Sequence, residues 1–320
     1  MTQKYWSQKP ASFADTVKLI QQYVRDEVVR EAKNKQLYYH NLNHALGVKR
    51  RAKRIFQAIR PVLVENYSSQ ELTRIEGLID VCALAHDMVQ IFEPSLPDRP
   101  RKRKLGLSEE TTADKLLNYI QKLNRVLIEE KDTSILISDR EQQIIRDGII
   151  ATICIPDPHK GNTKGVASRS IYQPYLYDAR AKISIVGSII ALADLGTLGM
   201  EGVKAYIQDG ILVFLEDNPH LHKLVAHCDL SGCSQLEVIR EKLLGMTSFI
   251  VKLAYERQAL FELEIVGFET RIRHILRNQV FVHLNQESIN QVRDLVPHQS
   301  DVSLTELVNF FCSKQITLIQ

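Results

Sequence analysis

Histidine and aspartate at positions 44, 86, 87 and 194 are the residues of this chain with the most chemistry to offer. Asp194 follows the run Lys182 to Ala193, which is almost wholly apolar and of helical length, so the segment is expected to be buried on most faces. A carboxylate there is costly unless a cation meets it. An arginine, a helix end or a metal would each serve. His86-Asp87 repeats the anomaly at the end of another apolar segment, Leu78 to Ala85. Taken alone, that pair is also what an ordinary hydrogen-bonded His-Asp contact looks like. His44 lies four residues after His40, so on a helix the two imidazoles share a face one turn apart. Our expectation is that His44, His86, Asp87 and Asp194 converge on one divalent ion. Two imidazoles and two carboxylates suit Mn, Fe, Co, Ni, Zn or Mg, and four ligands on a six-coordinate ion leave two positions for a phosphate oxygen and a water.

The elements that must position these groups are helices. With 14 Gly and 10 Pro in 320 residues, and many amphipathic windows, the chain reads as all-α. The spacing predicts helices over about 11–35, from Asn41 toward Ile59 with a stop at Pro61, over 70–88, from Ser108, over 138–154, over 199–218 with a close at Pro219, and over 235–256 and 257–283. Asn41 and Asn43 are placed to cap the second helix or to orient an imidazole. The last two helices carry heptad-like apolar stripes that pack on the rest of the chain or form a homodimer face.

In order, the motifs His44, His86-Asp87 and Asp194 resemble the H…HD…D signature of the HD superfamily of metal-dependent phosphohydrolases. Tyr39-His40-Asn41-Leu42-Asn43-His44-Ala45 is similar to the matching stretch of cyclic-nucleotide phosphodiesterases and their small bacterial relatives. Glu109-Glu110-Thr111-Thr112-Ala113 resembles the E-x-x-[ST]-A stretch of the small relatives, and Asp194-Leu195-Gly196-Thr197-Leu198-Gly199 their D-L-x-x-L-G ending. The resemblance covers roughly residues 35–205. It implies an HD-like helical bundle over 1–230 with a helical C-terminal extension over 231–320. It also implies His40 as proton donor to the leaving alkoxide, Asp87 as ligand and catalytic group together, and Glu109 as holder of the attacking water or of a histidine. Between Asp87 and Asp194 the single histidine is His159, which favours one metal over a two-metal site.

Substrate contacts are expected from Asn41, from Arg101 and Arg103 in the basic loop Arg99 to Lys104, and from His159 in the Pro- and Gly-rich loop 155–165. The same basic loop read alone is a solvated surface, and Glu109 beside Ser108 is equally a charge in a first helical turn. His220, His222, His227, Cys228 and Cys233 cluster without the spacing of a structural zinc site.

Composition narrows the function classes. A net charge of +3 is too small to imply a nucleic-acid polymer as partner, and 44% hydrophobic with 25% charged residues is ordinary for a globular protein. No apolar run reaches membrane-spanning length and no signal peptide opens the chain. Five cysteines without regular spacing suggest reduced thiols and a cytoplasmic setting. The expected partner is a phosphorylated small molecule such as a nucleotide, and the expected activity is phosphoester hydrolysis by a metal-activated water. The alternatives are a non-catalytic regulatory module of the same fold, binding a nucleotide or a protein, and a merely salt-bridged core.

Overall fold

The computed structural model describes residues 10–94, 99–128, 133–155, 171–177, 181, 183–227 and 235–315. Among these the protein is all-α, with two isolated antiparallel bridges, Phe92 with Arg103 and Ile155 with Tyr172, and no strand. The first three helices are α1 (Phe13–Lys35), α2 (Leu42–Leu63) and α3 (Ser69–Ala85). Next come α4 (Leu107–Ile128), α5 (Asp139–Ile150), the short α6 (Pro174–Tyr177), α7 (Ile185–Asp194) and α8 (Thr197–Glu201). The C-terminal part holds α9 (Val203–Asp217), α10 (Pro219–His227), α11 (Leu236–Glu264), α12 (Thr270–Ile275), α13 (Gln286–Leu295) and α14 (Leu304–Gln315).

Local chemistry sets the starts of the helices that carry the site. Asn41 Oδ1 accepts from the amides of Asn43 and His44, capping α2 one turn ahead of His44. Ser68 and Glu71 form a capping box at α3, and Ser184 caps α7.

Several helix ends differ from the sequence expectation. Pro61 does not stop α2. It lies in the last turn, where one missing amide is tolerable, and Val64 N–H closes that turn on Arg60. The helix expected over 199–218 is broken at Gly202, whose φ of 86° an L side chain rarely adopts. α9 ends at Asp217, just before Pro219 as expected, and Pro219 also opens α10, matching the preference for proline at a first helical position. The two C-terminal stripes divided at 256/257 instead share α11, unbroken for 29 residues. The chain turns only afterwards, into α12 and a π-helical segment, Leu276–Val280.

The apolar residues collect in two cores. The first joins α1 to α5 and α7 with Phe261, Ile265, Phe268, Ile272 and Phe281 from the C-terminal part. The second joins α9, α10, the earlier part of α11, α13 and α14. These cores do not divide at residue 230. α11 gives Leu243, Ile250 and Ala254 to the second core and Phe261 to the first, so one helix ties them together.

Cys82 and Cys154 are free, whereas Cys312 is disulfide-bonded to a partner outside the described residues. The expectation of reduced thiols throughout is corrected at that position. No described helix is long and apolar enough to cross a membrane.

Candidate metal centre

Three helices deliver the four expected ligands to one point. α2 brings His44 from its first turn. The end of α3 brings His86 as its C-cap and Asp87 one residue further, where the chain leaves the helix and adjacent side chains turn the same way. α7 brings Asp194 as its last residue. One donor atom from each lies within 4.8 Å of all the others, so this group is able to hold a metal ion.

The spacing within the group tests that fit. His44 Nε2 stands 3.1 Å from His86 Nε2, 3.2 Å from Asp87 Oδ2 and 3.4 Å from Asp194 Oδ1. His86 Nε2 stands 2.9 Å from Asp87 Oδ2 and 3.5 Å from Asp194 Oδ1. Donors about 2.1 Å from a shared ion sit about 3.0 Å apart at right angles and about 3.4 Å apart at tetrahedral angles. Two imidazole nitrogens facing each other can share at most one hydrogen, but both lone pairs can face one cation. The tautomer is prepared, because His86 Nδ1 lies 2.9 Å from the Ala83 carbonyl. Donation there leaves Nε2 of the neutral ring with a free lone pair.

Electrostatics agree with a cation-sized gap between opposite charges. Burial works against the charged forms of all four groups. The carboxylates nevertheless raise His44 and hold His86 well above its ordinary range, while the imidazoles hold Asp87 and Asp194 below theirs.

A second set of groups stands beside it. His40 Nε2 is 3.8 Å from Asp87 Oδ2, and His40 Nδ1 is 2.5 Å from Glu216 Oε1. Glu216, at the end of α9, also accepts the amides of Tyr39 and His40 through Oε2, at 2.8 and 2.9 Å. Arg103 adds Nη2 to Glu216 Oε1 at 2.6 Å and Nη1 to Asp217 at 2.9 Å, and its Nε meets Gln90 at 3.2 Å. Gln90 in turn donates to Asp87 Oδ1 at 3.0 Å. A closed chain of contacts therefore runs from Asp87 through Gln90, Arg103 and Glu216 to His40. Burial resists ionisation of Glu216, yet His40 and Arg103 outweigh it and bring its carboxyl down to about 2. Because the folded value lies below the unfolded one, this stabilisation is complete above the ordinary glutamate range and is lost as pH falls through the folded value. Glu216→Gln is expected to flatten the acid side of a plot of Tm against pH between about 4.5 and 2. An unchanged acid limb in that variant contradicts the ion pairing.

Not every expected site residue reaches this point. Asn41 is occupied as a cap, with Nδ2 donating to the Tyr38 carbonyl, so its place is in supporting His44. Arg101 lies over the Phe92 ring and lines a separate surface groove with Asn34 and Gln36, away from the four ligands. Arg103 lines the site but is paired. Glu109, in the first turn of α4, lines the same cavity, and burial followed by the charge of Asp87 raises its pKa. His159 and the loop around it, together with Cys228 and Cys233, lie outside the described residues.

The cavity over the ligands, about 300 Å³, is also lined by residues that the sequence reading passed over. One face of α9 contributes Tyr206, Asp209, Gly210 and Val213, and one face of α11 contributes Met246, Phe249, Ile250, Leu253 and Arg257. Glu216 carried a legible signal: the run Ile211 to Leu215 ends in two carboxylates, the same pattern that singled out Asp194. Arg51 is buried among apolar neighbours on α2, and its Nε donates to the Ala193 carbonyl at 2.6 Å, securing the end of α7 beside Asp194.

No protein-family model matches the chain, and no curated protein or solved structure matches it either.

Proposed function

We propose that the protein is a metal-dependent phosphohydrolase whose single divalent ion is held by His44, His86, Asp87 and Asp194. The observation that carries this reading is the convergence of two imidazoles and two carboxylates on one point, with the two carboxylates, Asp87 and Asp194, lining a cavity that His40 also lines. A divalent cation bound there supplies Lewis acidity, lowering the pKa of a water and offsetting negative charge on a phosphoryl group.

The chain's own residues supply the rest. Water oxygen adds to phosphorus as the ester P–O bond breaks, giving inorganic phosphate and an alcohol that must gain one proton. His40 is the group we assign to that proton, through Nε2, because its Nδ1 is held by Glu216 and its ring orientation is thereby set. Glu109, whose burial favours its protonated form, lines the same cavity and is assigned as an acceptor or donor for the attacking water. Gln90 and Arg103 keep Asp87 and Glu216 in place.

A second reading, a regulatory module that binds a nucleotide or a protein partner without hydrolysing it, has one observation in its favour. Both arginines lining the cavity are already paired, Arg103 with Glu216 and Asp217, and Arg257 with Glu264. Neither is a free clamp for a phosphate.

Elemental analysis before and after Mn or Ni loading, coupled to phosphate release from a panel of phosphomonoesters and phosphodiesters, separates the two. About one equivalent of metal with turnover of any ester supports the hydrolase. Metal without turnover supports the module, and no metal removes both.

A further inference from the structure

The cavity is lined by two chemically different kinds of side chain. Its polar lining comes from two of the four candidate ligands, Asp87 and Asp194, with His40, Gln90, Arg103 and Glu109, and His44 and His86 lie buried behind the two carboxylates. An apolar part of the lining is built from Val213 on α9 and Met246, Phe249, Ile250 and Leu253 on α11. The α11 positions repeat at intervals of three and four, so a single helical face supplies them. A Cβ at Gly210 would come within 2.8 Å of the Ile250 side chain, so the two helices meet closely there and the wall is continuous.

The polar side chains on or beside this wall are already bonded within the protein. Tyr206 Oη donates to the Ile250 carbonyl at 2.7 Å, Thr197 Oγ1 to Asp209 at 2.8 Å and Thr152 Oγ1 to the Ile149 carbonyl at 2.8 Å. Arg257 is bound to Glu264, which also accepts from Tyr177 Oη at 2.7 Å. Among the described residues, the α9 and α11 wall therefore offers a ligand contact area and no uncommitted donor with which to read a base or a sugar.

We infer that the preferred substrate is a phosphate ester of an apolar alcohol, with the phosphoryl group at the His44, His86, Asp87 and Asp194 end and the hydrocarbon against Val213, Met246, Phe249 and Leu253. A nucleotide would bury its base and ribose polar atoms against this wall without partners, an unfavourable exchange of water for hydrocarbon. An alkyl or aryl group loses nothing there and leaves water. The inference rests on the hydrolase reading for its phosphoryl end, but its apolar end stands on the wall alone.

The test uses the full chain loaded with Mn. Methylphosphonate, octylphosphonate and adenosine 5′-monophosphate are titrated by calorimetry, and phosphate release is measured from methyl phosphate, octyl phosphate and the same nucleotide. One methylene moved from water into an apolar site is worth about fourfold in affinity, so even partial burial of the octyl chain gives about 100-fold over methyl. Octylphosphonate is expected to bind more tightly than both other ligands, and Leu253→Asn is expected to reduce the octyl-to-methyl ratio about tenfold. Equal affinity for methyl and octyl, nucleotide binding as tight as octyl, absence of any phosphonate binding, or a ratio unmoved by Leu253→Asn overturns the inference. Chain-length-dependent binding without phosphate release from any ester refutes the hydrolase reading and leaves the apolar site standing.

Discussion

Asp194→Ala and His86→Ala are each expected to abolish metal binding, lowering affinity by more than about 100-fold, while the chain stays folded. The size of the effect follows from direct coordination. Displacing a residue that only orients a ligand already costs about 10- to 100-fold, and removing the ligand itself costs more. Folding survives at Asp194 for a structural reason. Its side chain is 15% accessible and faces the cavity, so water can take the vacated place beside His44 and His86. His86 is more exacting, because its ring is 1% accessible and its Nδ1 meets the Ala83 carbonyl. Alanine there leaves a cavity and an unmatched carbonyl, so a lower Tm accompanies the lost metal. Metal content by mass spectrometry and far-ultraviolet circular dichroism separate the two effects. Full metal content in a folded Asp194→Ala protein removes the ligand assignment and leaves a salt-bridged cluster.

His40→Ala has the opposite signature: metal retained at about one equivalent, and kcat reduced by about 10²- to 10⁴-fold, the range for loss of a positioned acid. His40 lies 3.8 Å from Asp87 and is fastened on its far side by Glu216, so it borders the ion site without being needed to close it. Glu216→Gln probes the same assignment from behind. It keeps the shape of the side chain but removes the charge that holds His40 Nδ1 and Arg103, so kcat falls less than in His40→Ala and its pH profile shifts. Metal lost from His40→Ala would move that histidine into the ligand set. Unchanged kcat would remove it from the reaction.

Three of the candidate ligands, His86, Asp87 and Asp194, were legible because buried charge is conspicuous in a sequence, whereas His44 stood out by its place one turn after His40 and by the resemblance to the H…HD…D signature. Leu78 to Ala85 and Lys182 to Ala193 are segments in which a carboxylate or an imidazole has no ordinary reason to be. Glu216 ends a segment of the same type and was equally visible, yet nothing local distinguishes a carboxylate aimed at a histidine from one at a solvated helix end. Arg101 and Arg103 show the limit most plainly. They are two residues apart in one basic loop and both lie over the Phe92 ring, yet Arg103 reaches Glu216 and lines the cavity while Arg101 lines a separate groove.

Sequence alone determined the all-α class and the four metal-ligand candidates. Both follow from local facts, helical apolar periodicity and the cost of unpaired buried charge. Tertiary structure alone decided that α9 and α11 pack together into one wall of the cavity, that Glu216 holds His40, and that one long helix joins two cores. An apolar stripe has the same pattern whether it meets a core, a second subunit or a ligand, because burial of hydrocarbon is non-directional. Which of these it meets depends on the packing of residues that lie far apart in the chain.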